Sequence, residues 1–352
     1  MGRGRISHFM RLCVLVALTS ACFVRPAHAT DTVPQPIASV SIDLTDNRIH
    51  ASFTVDGKAQ HLLLDTGAST SLLFESSGIK PPNYHQGVAI SFPAFASSAT
   101  GYRIRGLKLQ TEGFSFTSET TLYISASEAV IGDIGGKFTG ILGRDFLARF
   151  VVEIVPSEKL MKLYPPGTDL SGHYRLKHDL IMHDGTPYII HRSRLPWETW
   201  PTQKKLLLDT GYPGGVVLWD DAHFDRATKP AEREGLRQEK KGIVYFGIVK
   251  FGKLLFRNIP VFIGPSAPGQ LEDRDGLIGA SMFLPFRYVI DLPGEKLLLH
   301  PRVRYGGIGF QISNDVIYTP GDEDFVMKDF RPKPSATPVD TYHRNADIIP
   351  GG

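Results

Sequence analysis

Short apolar runs separated by turn residues dominate the chain. Examples are SVSIDLT, RIHASFTVDG, VVEIV, KLMKLYP and GIVYFGIVKFG, which are rich in Val, Ile, Leu and aromatic residues. Such runs, bounded by Gly, Pro, Asp or Asn, are typical of β-strands. VDGK at 55–58 and LPGEK at 292–296 predict hairpin turns. Helix is predicted only in short pieces, at 144–149 and within 220–238. The pattern therefore predicts an all-β fold.

A repeat organises these predicted strands. HLLLDTGAST at 61–70 and KLLLDTGYPGG at 205–215 place the same apolar run and Asp-Thr-Gly 144 residues apart. Behind each copy, TGILGRDFLARF and DGLIGASMFLPF share a Gly-apolar-apolar-Gly segment, which begins 75 residues after the first Asp and 67 after the second. Ordered blocks that recur at similar spacing indicate a duplicated unit. We expect two β-rich lobes, at 30–168 and 169–303, related by a pseudo-twofold axis with a cleft between them.

The first 29 residues have the organisation of an export signal. An arginine-rich start precedes an apolar core at 12–24 that is too short to span a membrane, and AHA at 27–29 fits a signal-peptidase site. We expect cleavage there and an exported protein, periplasmic or secreted, with no transmembrane segment left. The alternatives are an uncleaved membrane anchor and a lipid anchor on Cys22. Too few residues then precede the first predicted strand for a pepsin-type prosegment, so no zymogen is expected.

Charge and cysteine content narrow the class further. The chain has 39 basic and 36 acidic residues, and the four arginines of residues 1–29 leave 35 against 36 after cleavage. This balance gives no basic footprint for nucleic acid. Both cysteines, Cys13 and Cys22, lie in the signal, so the exported chain is expected to fold by core packing without disulfides, as its length allows.

Each Asp-Thr-Gly places a carboxylate at the end of a predicted buried strand. Gly67 and Gly211 are expected to take backbone conformations closed to other residues. If the two lobes pack about a pseudo-twofold axis, Asp65 and Asp209 face each other across the interface. Two carboxylates in contact share one proton, because repulsion between their negative charges prevents both from ionising. Such a pair can accept a proton from water while donating one to a carbonyl oxygen.

The two motifs, LLLDTGAST and LLLDTGYPGG, each followed by an apolar-apolar-Gly segment, resemble the retropepsin-like and pepsin-like aspartic proteases, in a single-chain, bilobal form of bacterial type. The resemblance covers nearly all of 36–303. It implies that Asp65 and Asp209 are the catalytic pair of an aspartic endopeptidase, which acts on peptides or proteins as a monomer without a metal or cofactor. It also implies that Thr66 and Thr210 hydrogen-bond across the lobes, while the glycine segments, 140–143 and 276–279, pass beneath the two turns.

The sequence departs from the pepsin pattern directly after each Asp-Thr-Gly. Pepsin-like lobes have Ser or Thr there, whose hydroxyl favours the ionised carboxylate, whereas this chain has Ala68 and Tyr212. Loss of the hydroxyl raises the pKa of the pair, so we expect a pH optimum less acidic than that of pepsin. Tyr212 and Pro213 are also unusual after this turn. They motivate the main alternative, a catalytically inactive protein that keeps the fold and binds peptides.

Other functional readings remain open at this point. Besides the enzyme and the inactive binding protein, a third hypothesis is that each lobe pairs with a lobe of another chain. His173, His178 and His183 have a spacing that matches no metal motif, so they are expected on the surface or in loops. No Gly-x-Ser-x-Gly, Walker or dinucleotide-binding pattern occurs. Trp197 and Trp200 lie in LPWETWP, which predicts a surface hairpin, with a binding platform as the alternative.

Segments outside the repeat carry weaker predictions. AISFPAFASSATGYRIRG at 89–106 and EKKGIVYFGIVKFG at 239–252 are candidates for hairpins that close over the cleft. The tail at 304–352 resembles the first part of a PDZ domain, with Gly-Ile-Gly-Phe at 307–310 as its carboxylate-binding loop. A complete PDZ core needs more residues than the tail contains. The alternative is an extended tail that packs on the second lobe.

Overall fold

Strands form nearly all of the regular structure. The computed structural model describes residues 34–80, 87–92, 97–119, 121–124, 138–194, 199–200, 202–221, 238–239, 242–251, 254–264, 274–301, 309–311 and 345–350. In chain order the strands are β1 (Ala38–Asp43), β2 (His50–Val55), β3 (Lys58–Leu64), β4 (Leu72–Phe74), β5 (Gly87–Phe92), β6 (Ser97–Arg103), β7 (Leu107–Thr111), β8 (Phe114–Ser118), β9 (Leu122–Ile124), β10 (Gly140–Leu142), β11 (Val151–Val155), β12 (Leu160–Tyr164), β13 (Leu176–Asp179), β14 (Ile181–His183), β15 (Thr186–Arg194), β16 (Thr202–Asp209), β17 (Val216–Trp219), β18 (Gln238–Glu239), β19 (Gly242–Phe251), β20 (Leu254–Gly264), β21 (Gly276–Gly279), β22 (Phe286–Asp291), β23 (Lys296–Pro301), β24 (Gly309–Gln311) and β25 (Asn345–Pro350). The all-β prediction is confirmed.

Helical structure is limited to single turns in the described residues. The α-helix α1 spans Arg144–Leu147, inside the predicted 144–149, and 3-10 turns span Glu75–Ser77, Ser171–His173 and Ala280–Met282. Most of the helix predicted within 220–238 lies outside the described residues. None of the helices in the described ranges has the length and apolar character needed to cross a membrane.

The strands join into two mixed sheets. The first has the order β13-β23-β22-β11-β12-β1-β2-β3-β10-β4-β9-β6-β5, with β7 and β8 attached through β2. The second has the order β18-β19-β15-β16-β21-β17-β20-β25-β24, with β14 attached to β15. Strands β13, β22 and β23 of the second half therefore belong to the sheet of the first half. The link is the antiparallel pair β11 and β22, in which Glu153 lies opposite Val289.

Both predicted hairpin turns are present. Asp56 and Gly57 connect β2 to β3 with φ values of 48° and 74°, and two consecutive positive φ values are what a type I′ turn requires. The turn between β22 and β23 contains Glu295 at a φ of 53°. The hairpin predicted around LPWETWP is also present, because β15 pairs with β16 in antiparallel fashion. Trp200 is 76% exposed in the loop between these strands. Residues 195–198, which include Trp197, lie outside the described residues.

The two copies of the repeat form matching sets of three strands. In the first copy β10 runs parallel to β3 and antiparallel to β4. In the second copy β21 runs parallel to β16 and antiparallel to β17. The register is also the same: Gly140 lies opposite Leu62 and Gly276 lies opposite Leu206, each three residues before the Asp. The duplicated sequence thus produces a duplicated local topology.

The strands that lead into the two Asp-Thr-Gly turns lie in the core. Leu62, Leu63 and Leu64 are at most 2% exposed, and Leu206, Leu207 and Leu208 at most 7%. Three consecutive buried residues mean that both faces of each strand are covered, which explains the uninterrupted apolar runs in the sequence. Burying such side chains contributes about 1.5–3 kcal/mol each. The ends of both strands are therefore held in rigid surroundings.

The last described strand of the tail pairs with the second sheet. β25 lies antiparallel to β20, with Ile349 opposite Leu255, and also pairs with β24. Residues 312–344, which hold most of the segment that resembles a PDZ domain, lie outside the described residues, as do 1–33 with the predicted signal.

Candidate active site

Two equivalent turns hold the two aspartates. Asp65 follows β3, and its Oδ1 accepts backbone N–H groups from Gly67 at 2.7 Å and Ala68 at 3.2 Å. Asp209 ends β16, and its Oδ1 accepts the N–H groups of Gly211 and Tyr212, both at 3.1 Å. Each carboxylate is therefore folded back over its own turn and fixed there by two donors.

The two carboxylates are in contact. They lie close enough for hydrogen bonding between the side chains to affect the pKa of both. The point where a Cβ on Gly67 would lie is 3.0 Å from Asp65 Oδ1 and 3.1 Å from Asp209 Oδ1. The structure thus brings together, within one chain, the two aspartates that the repeat singled out.

The glycines of both turns are required for space and not for backbone conformation. Neither Gly67 nor Gly211 has a positive φ, so the conformational reason given for them from the sequence is wrong. A Cβ on Gly211 would lie 2.5 Å from Asp65 Cγ and 2.6 Å from its Oδ2. Real Cβ contacts are not that short, so any side chain at 211 displaces the Asp65 carboxylate. The contact at Gly67 is less tight, at 3.0 Å or more.

Thr66 and Thr210 cross-link the two turns. Each threonine donates its backbone N–H to the other's Oγ1, at 3.0 Å in both directions. The Thr66 hydroxyl donates to Leu208 O at 2.5 Å, and the Thr210 hydroxyl donates to Leu64 O at 2.7 Å. Both residues are fully buried. The reciprocal set of four bonds, which the resemblance implies, fixes the separation of the turns and hence of the carboxylates.

The glycine segments run directly beside the turns. In the first half Asp65 N donates to Leu142 O at 3.0 Å, and Arg144 N donates to Ala68 O at 2.9 Å. In the second half Gly279 N donates to Gly215 O at 2.7 Å, and Ala280 N donates to Tyr212 O at 2.8 Å. A Cβ on Gly279 would lie 2.4 Å from Gly214 O, so only glycine fits there. The segments therefore support both turns from below through backbone contacts.

Burial and mutual repulsion shape the charge state of the pair. Burial raises the pKa of Asp65, an effect opposed by the N–H groups of Gly67 and Ala68. Burial also raises the pKa of Asp209, and the negative charge of Asp65 raises it further. Two partly buried carboxylates in contact cannot both ionise at low cost, so the pair retains a proton well above the ordinary range of Asp. A site with this charge state can supply an acid and a base at once.

No protein-family model matches the chain, and no curated protein matches it. Inference about function therefore rests on the geometry and electrostatics of the two turns.

Tyr212 occupies a defined place in the second turn. Its ring lies against two glycines: a Cβ on Gly214 would be 2.5 Å from its Cε1, and a Cβ on Gly279 would be 2.5 Å from its Cδ1. Burial and the nearby Asp209 carboxylate raise the pKa of Tyr212, so it stays neutral. The ring is therefore accommodated within its own half by glycines that the sequence places at 214 and 279.

Arg144 is a site residue that sequence reasoning missed. Its Nη1 donates to Gly67 O at 3.1 Å and to Thr66 O at 3.4 Å. Its charge interacts with Asp65 and with Tyr188, and burial lowers its pKa. The sequence does contain a sign of this role, because the two copies of the repeat differ here: Arg144 follows the first glycine segment and Ala280 follows the second.

The three regularly spaced histidines do not converge. His173 lies in a 3-10 turn, His178 is half-buried in β13, and His183 is exposed in β14. The expectation of surface or loop positions is therefore confirmed for His173 and His183 and wrong for His178. β13 pairs with β23 and β14 with β15, in different sheets. Among the described residues, no group of three or more His, Cys, Asp or Glu side chains could hold a metal ion.

Proposed function

We propose that this protein is an aspartic endopeptidase in which Asp65 and Asp209 activate one water molecule for attack on a peptide carbonyl. The observation that carries the proposal is the contact between the two carboxylates, each presented by the same Asp-Thr-Gly turn. Thr66 and Thr210 support the pair from a position where neither faces a substrate. Gly67 and Gly211 leave the space that the carboxylates occupy.

The charge state of the pair suits hydrolysis of an amide. One ionised carboxylate accepts a proton from water as the water oxygen bonds to the carbonyl carbon, while the protonated carboxyl donates its proton to the carbonyl oxygen. In the second step the leaving nitrogen takes the proton gained from water, the C–N bond breaks, and the hydroxyl proton returns to the carboxyl. The products are a carboxylic acid and an amine, and the pair ends in its starting state.

The same proposal includes a bilobal retropepsin-like arrangement, with lobes at 30–168 and 169–303. The matching strand sets around β10 and β21 support it. Further support comes from β11 and β22. When the glycine segments are aligned, Glu153 corresponds to Val289, and these two residues lie directly opposite each other. A pseudo-twofold axis through this pair accounts for the match.

Peptide substrates would bind between the halves, beneath two hairpins. β5 and β6 form an antiparallel hairpin that overlaps 89–106, and the antiparallel pair of β18 and β19 overlaps 239–252. The turns of both hairpins, 93–96 and 240–241, lie outside the described residues. The proposal requires no metal or organic cofactor, and the predicted signal at 1–29 assigns the activity to the periplasm or the exterior of the cell.

The proposal is tested with the purified protein and a mixed peptide library between pH 3 and pH 8. We expect cleavage that chelators leave unchanged and that Asp65→Asn or Asp209→Asn lowers by about 10²–10⁴-fold. Asp184→Asn is the matched control, because Asp184 lies in an exposed turn between β14 and β15. We expect this variant to keep full activity. Cleavage that survives both active-site substitutions would show that another group is responsible.

The rival is a peptide-binding protein without catalytic activity. Tyr212 and Pro213 motivate it, because they replace the small polar residues that the family prefers after the second turn. It predicts peptide binding by calorimetry with no cleavage at any pH. The placement of the Tyr212 ring against Gly214 and Gly279 favours the enzyme, since the ring packs on its own half.

A further inference from the structure

The two halves of the candidate site differ at the residue after each glycine segment. Arg144 holds this position in the first half and Ala280 in the second. Their backbones make the same bond: Arg144 N donates to Ala68 O at 2.9 Å, and Ala280 N donates to Tyr212 O at 2.8 Å. The positions are therefore equivalent in backbone and differ in side chain, which places a guanidinium beside the first turn and a methyl group beside the second.

The guanidinium of Arg144 is attached to the turn that carries Asp65. Its Nη1 donates to the carbonyl oxygens of Gly67 and Thr66. Those residues belong to the turn whose N–H groups hold Asp65 Oδ1. Arg144 thus binds the carbonyl groups of this turn, while N–H groups of the same turn orient the Asp65 carboxylate.

The charges around the pair are also unequal. Burial raises the pKa of Asp65, and the positive charge of Arg144 opposes this rise, because a nearby positive charge favours the ionised carboxylate. The neighbouring charge that acts on Asp209 is the Asp65 carboxylate, which raises the pKa of Asp209. Tyr212 interacts with Asp209 and Tyr188 interacts with Arg144, and burial raises the pKa of Tyr212, which keeps that side chain neutral. Asp145, next to Arg144 on α1, accepts hydrogen bonds from Ser71 N and Oγ.

We infer that Arg144 is a positioning residue that keeps the negative charge of the pair on Asp65, so that the shared proton resides on Asp209. The catalytic meaning of this inference rests on the proposed function. Asp65 is then the base, which takes a proton from water as the water oxygen bonds to the carbonyl carbon. Asp209 is the acid, which donates its proton to the carbonyl oxygen. As the C–N bond breaks, the leaving nitrogen takes the proton from Asp65, and the hydroxyl proton returns to Asp209.

The order of ionisation can be measured in the unaltered protein. Carboxyl carbons of isotope-labelled aspartate are followed by NMR as the pH is raised, with Asp65→Asn and Asp209→Asn used to assign the two signals. We expect the Asp65 signal to change at lower pH than the Asp209 signal. The opposite order, or a common midpoint with no preference between the two sites, overturns the inference.

Three variants then test whether Arg144 causes the order. Arg144→Met removes the charge and keeps the length, Arg144→Lys keeps the charge, and Arg149→Met is the matched control because Arg149 is exposed on the next turn of chain. We expect the Asp65 signal and the acidic limb of kcat/KM to move to higher pH in Arg144→Met. The alkaline limb moves less, since it reports the proton on Asp209. Arg144→Lys is expected to remain near the unaltered protein, and Arg149→Met to match it.

The outcomes separate this inference from the proposed function. If peptides are cleaved and both aspartates are needed, but Arg144→Met leaves the Asp65 signal and the acidic limb unchanged, the inference alone fails. If no peptide is cleaved while Asp65 still ionises first and shifts in Arg144→Met, the proposed function fails and the placement of charge stands. If Arg144→Met does not fold, the inference is tested by the order in which the two aspartates ionise in the unaltered protein and by the acidic limb of kcat/KM in Arg144→Lys. A limb shifted upward in Arg144→Lys contradicts a role for charge.

Discussion

Thr66 and Thr210 each donate a backbone N–H to the other's hydroxyl oxygen, at 3.0 Å in both directions. Each hydroxyl makes two of the bonds that join the turns, so removal of either hydroxyl breaks two bonds between them. Thr210→Val leaves the Thr66 N–H and the Leu64 carbonyl without these partners in a fully buried place. We expect a loss of about 2–4 kcal/mol in the free energy of unfolding, measured by chemical denaturation, together with a lower kcat. Thr210→Ser keeps the oxygen, and a loss as large as that of Thr210→Val would contradict this explanation.

The glycines of the two turns are expected to differ in tolerance. Gly211→Ala places a methyl group against the Asp65 carboxyl, where the available distances are 2.5–2.7 Å, whereas the closest contact at Gly67 is 3.0 Å. Gly211→Ala should therefore lower kcat by about a hundredfold, as small displacements of catalytic groups do, and Gly67→Ala by less. Gly172→Ala is the control, since a Cβ there meets nothing within 4 Å. Equal losses at 67 and 211 would show that space around Asp65 does not limit activity.

Ala68 offers a direct test of the pH optimum. Its N–H donates to Asp65 Oδ1 at 3.2 Å, and its side chain has no hydroxyl to add a second donor. Ala68→Ser should favour the ionised carboxylate, lower the pKa of Asp65 and move the acidic limb of the kcat/KM profile to lower pH. Ser69→Ala, at the exposed neighbouring position, should leave the profile unchanged. For the unaltered protein, a profile that peaks below about pH 3 would refute the less acidic optimum.

The raised pKa of Asp209 also has a consequence for stability. Folding favours its protonated form, so this contribution to the free energy of unfolding is complete below the ordinary pKa of 3.8 and is lost as pH rises through the folded-state value. Asp209→Asn has no proton to lose. We expect it to be more stable than the unaltered protein by about 1–2 kcal/mol near pH 7, with a smaller difference near pH 4. Denaturant unfolding at both pH values measures this, with Asp184→Asn as the control, and a difference that shrinks as pH rises would have the wrong sign.

A buried acidic residue lies where β11 meets β22. Glu153 is 2% exposed; its carboxylate accepts hydrogen bonds from Tyr164 OH at 2.6 Å and Tyr174 OH at 2.8 Å, and Arg287 Nε lies 2.6 Å from it. Glu153→Ala leaves two buried hydroxyls without an acceptor, so we expect a loss of about 3 kcal/mol in unfolding free energy. The control is Glu158→Ala, which removes an exposed pair with Lys162 and should cost at most about 0.5 kcal/mol. Similar costs for the two would mean that the buried cluster does not stabilise the junction.

The repeated features of the fold could be read from the sequence. Asp65, Asp209 and the two threonines were found because the same tripeptide occurs twice behind an apolar run. Local patterning also predicted strands such as β1, β2, β11, β12 and β19 and both hairpin turns. The cause is physical: a strand buried on both faces needs a continuous apolar run, and a type I′ turn needs residues such as Asp56 and Gly57 that tolerate positive φ.

Features set by packing between distant segments could not be predicted in the same way. Arg144 reaches the carbonyls of residues 77 and 78 positions earlier, and Arg287 reaches Tyr174 across 113 positions. No local pattern encodes such contacts, because a surface arginine and a site arginine look alike in sequence. The reason for Gly67 and Gly211 was wrong for the same cause, since the space they leave is filled by side chains from both halves.

The hydrogen-bonded pairing of β11 with β22 determines how the site responds to dilution. Both strands belong to one chain, and Val152, Glu153 and Ile154 pair with Ile290, Val289 and Tyr288 without a second molecule. A site divided between two chains is populated according to protein concentration, and it disappears below the dissociation constant. In this protein the two aspartates meet through an intramolecular step. The proposed peptidase activity per molecule should therefore stay constant as the protein is diluted.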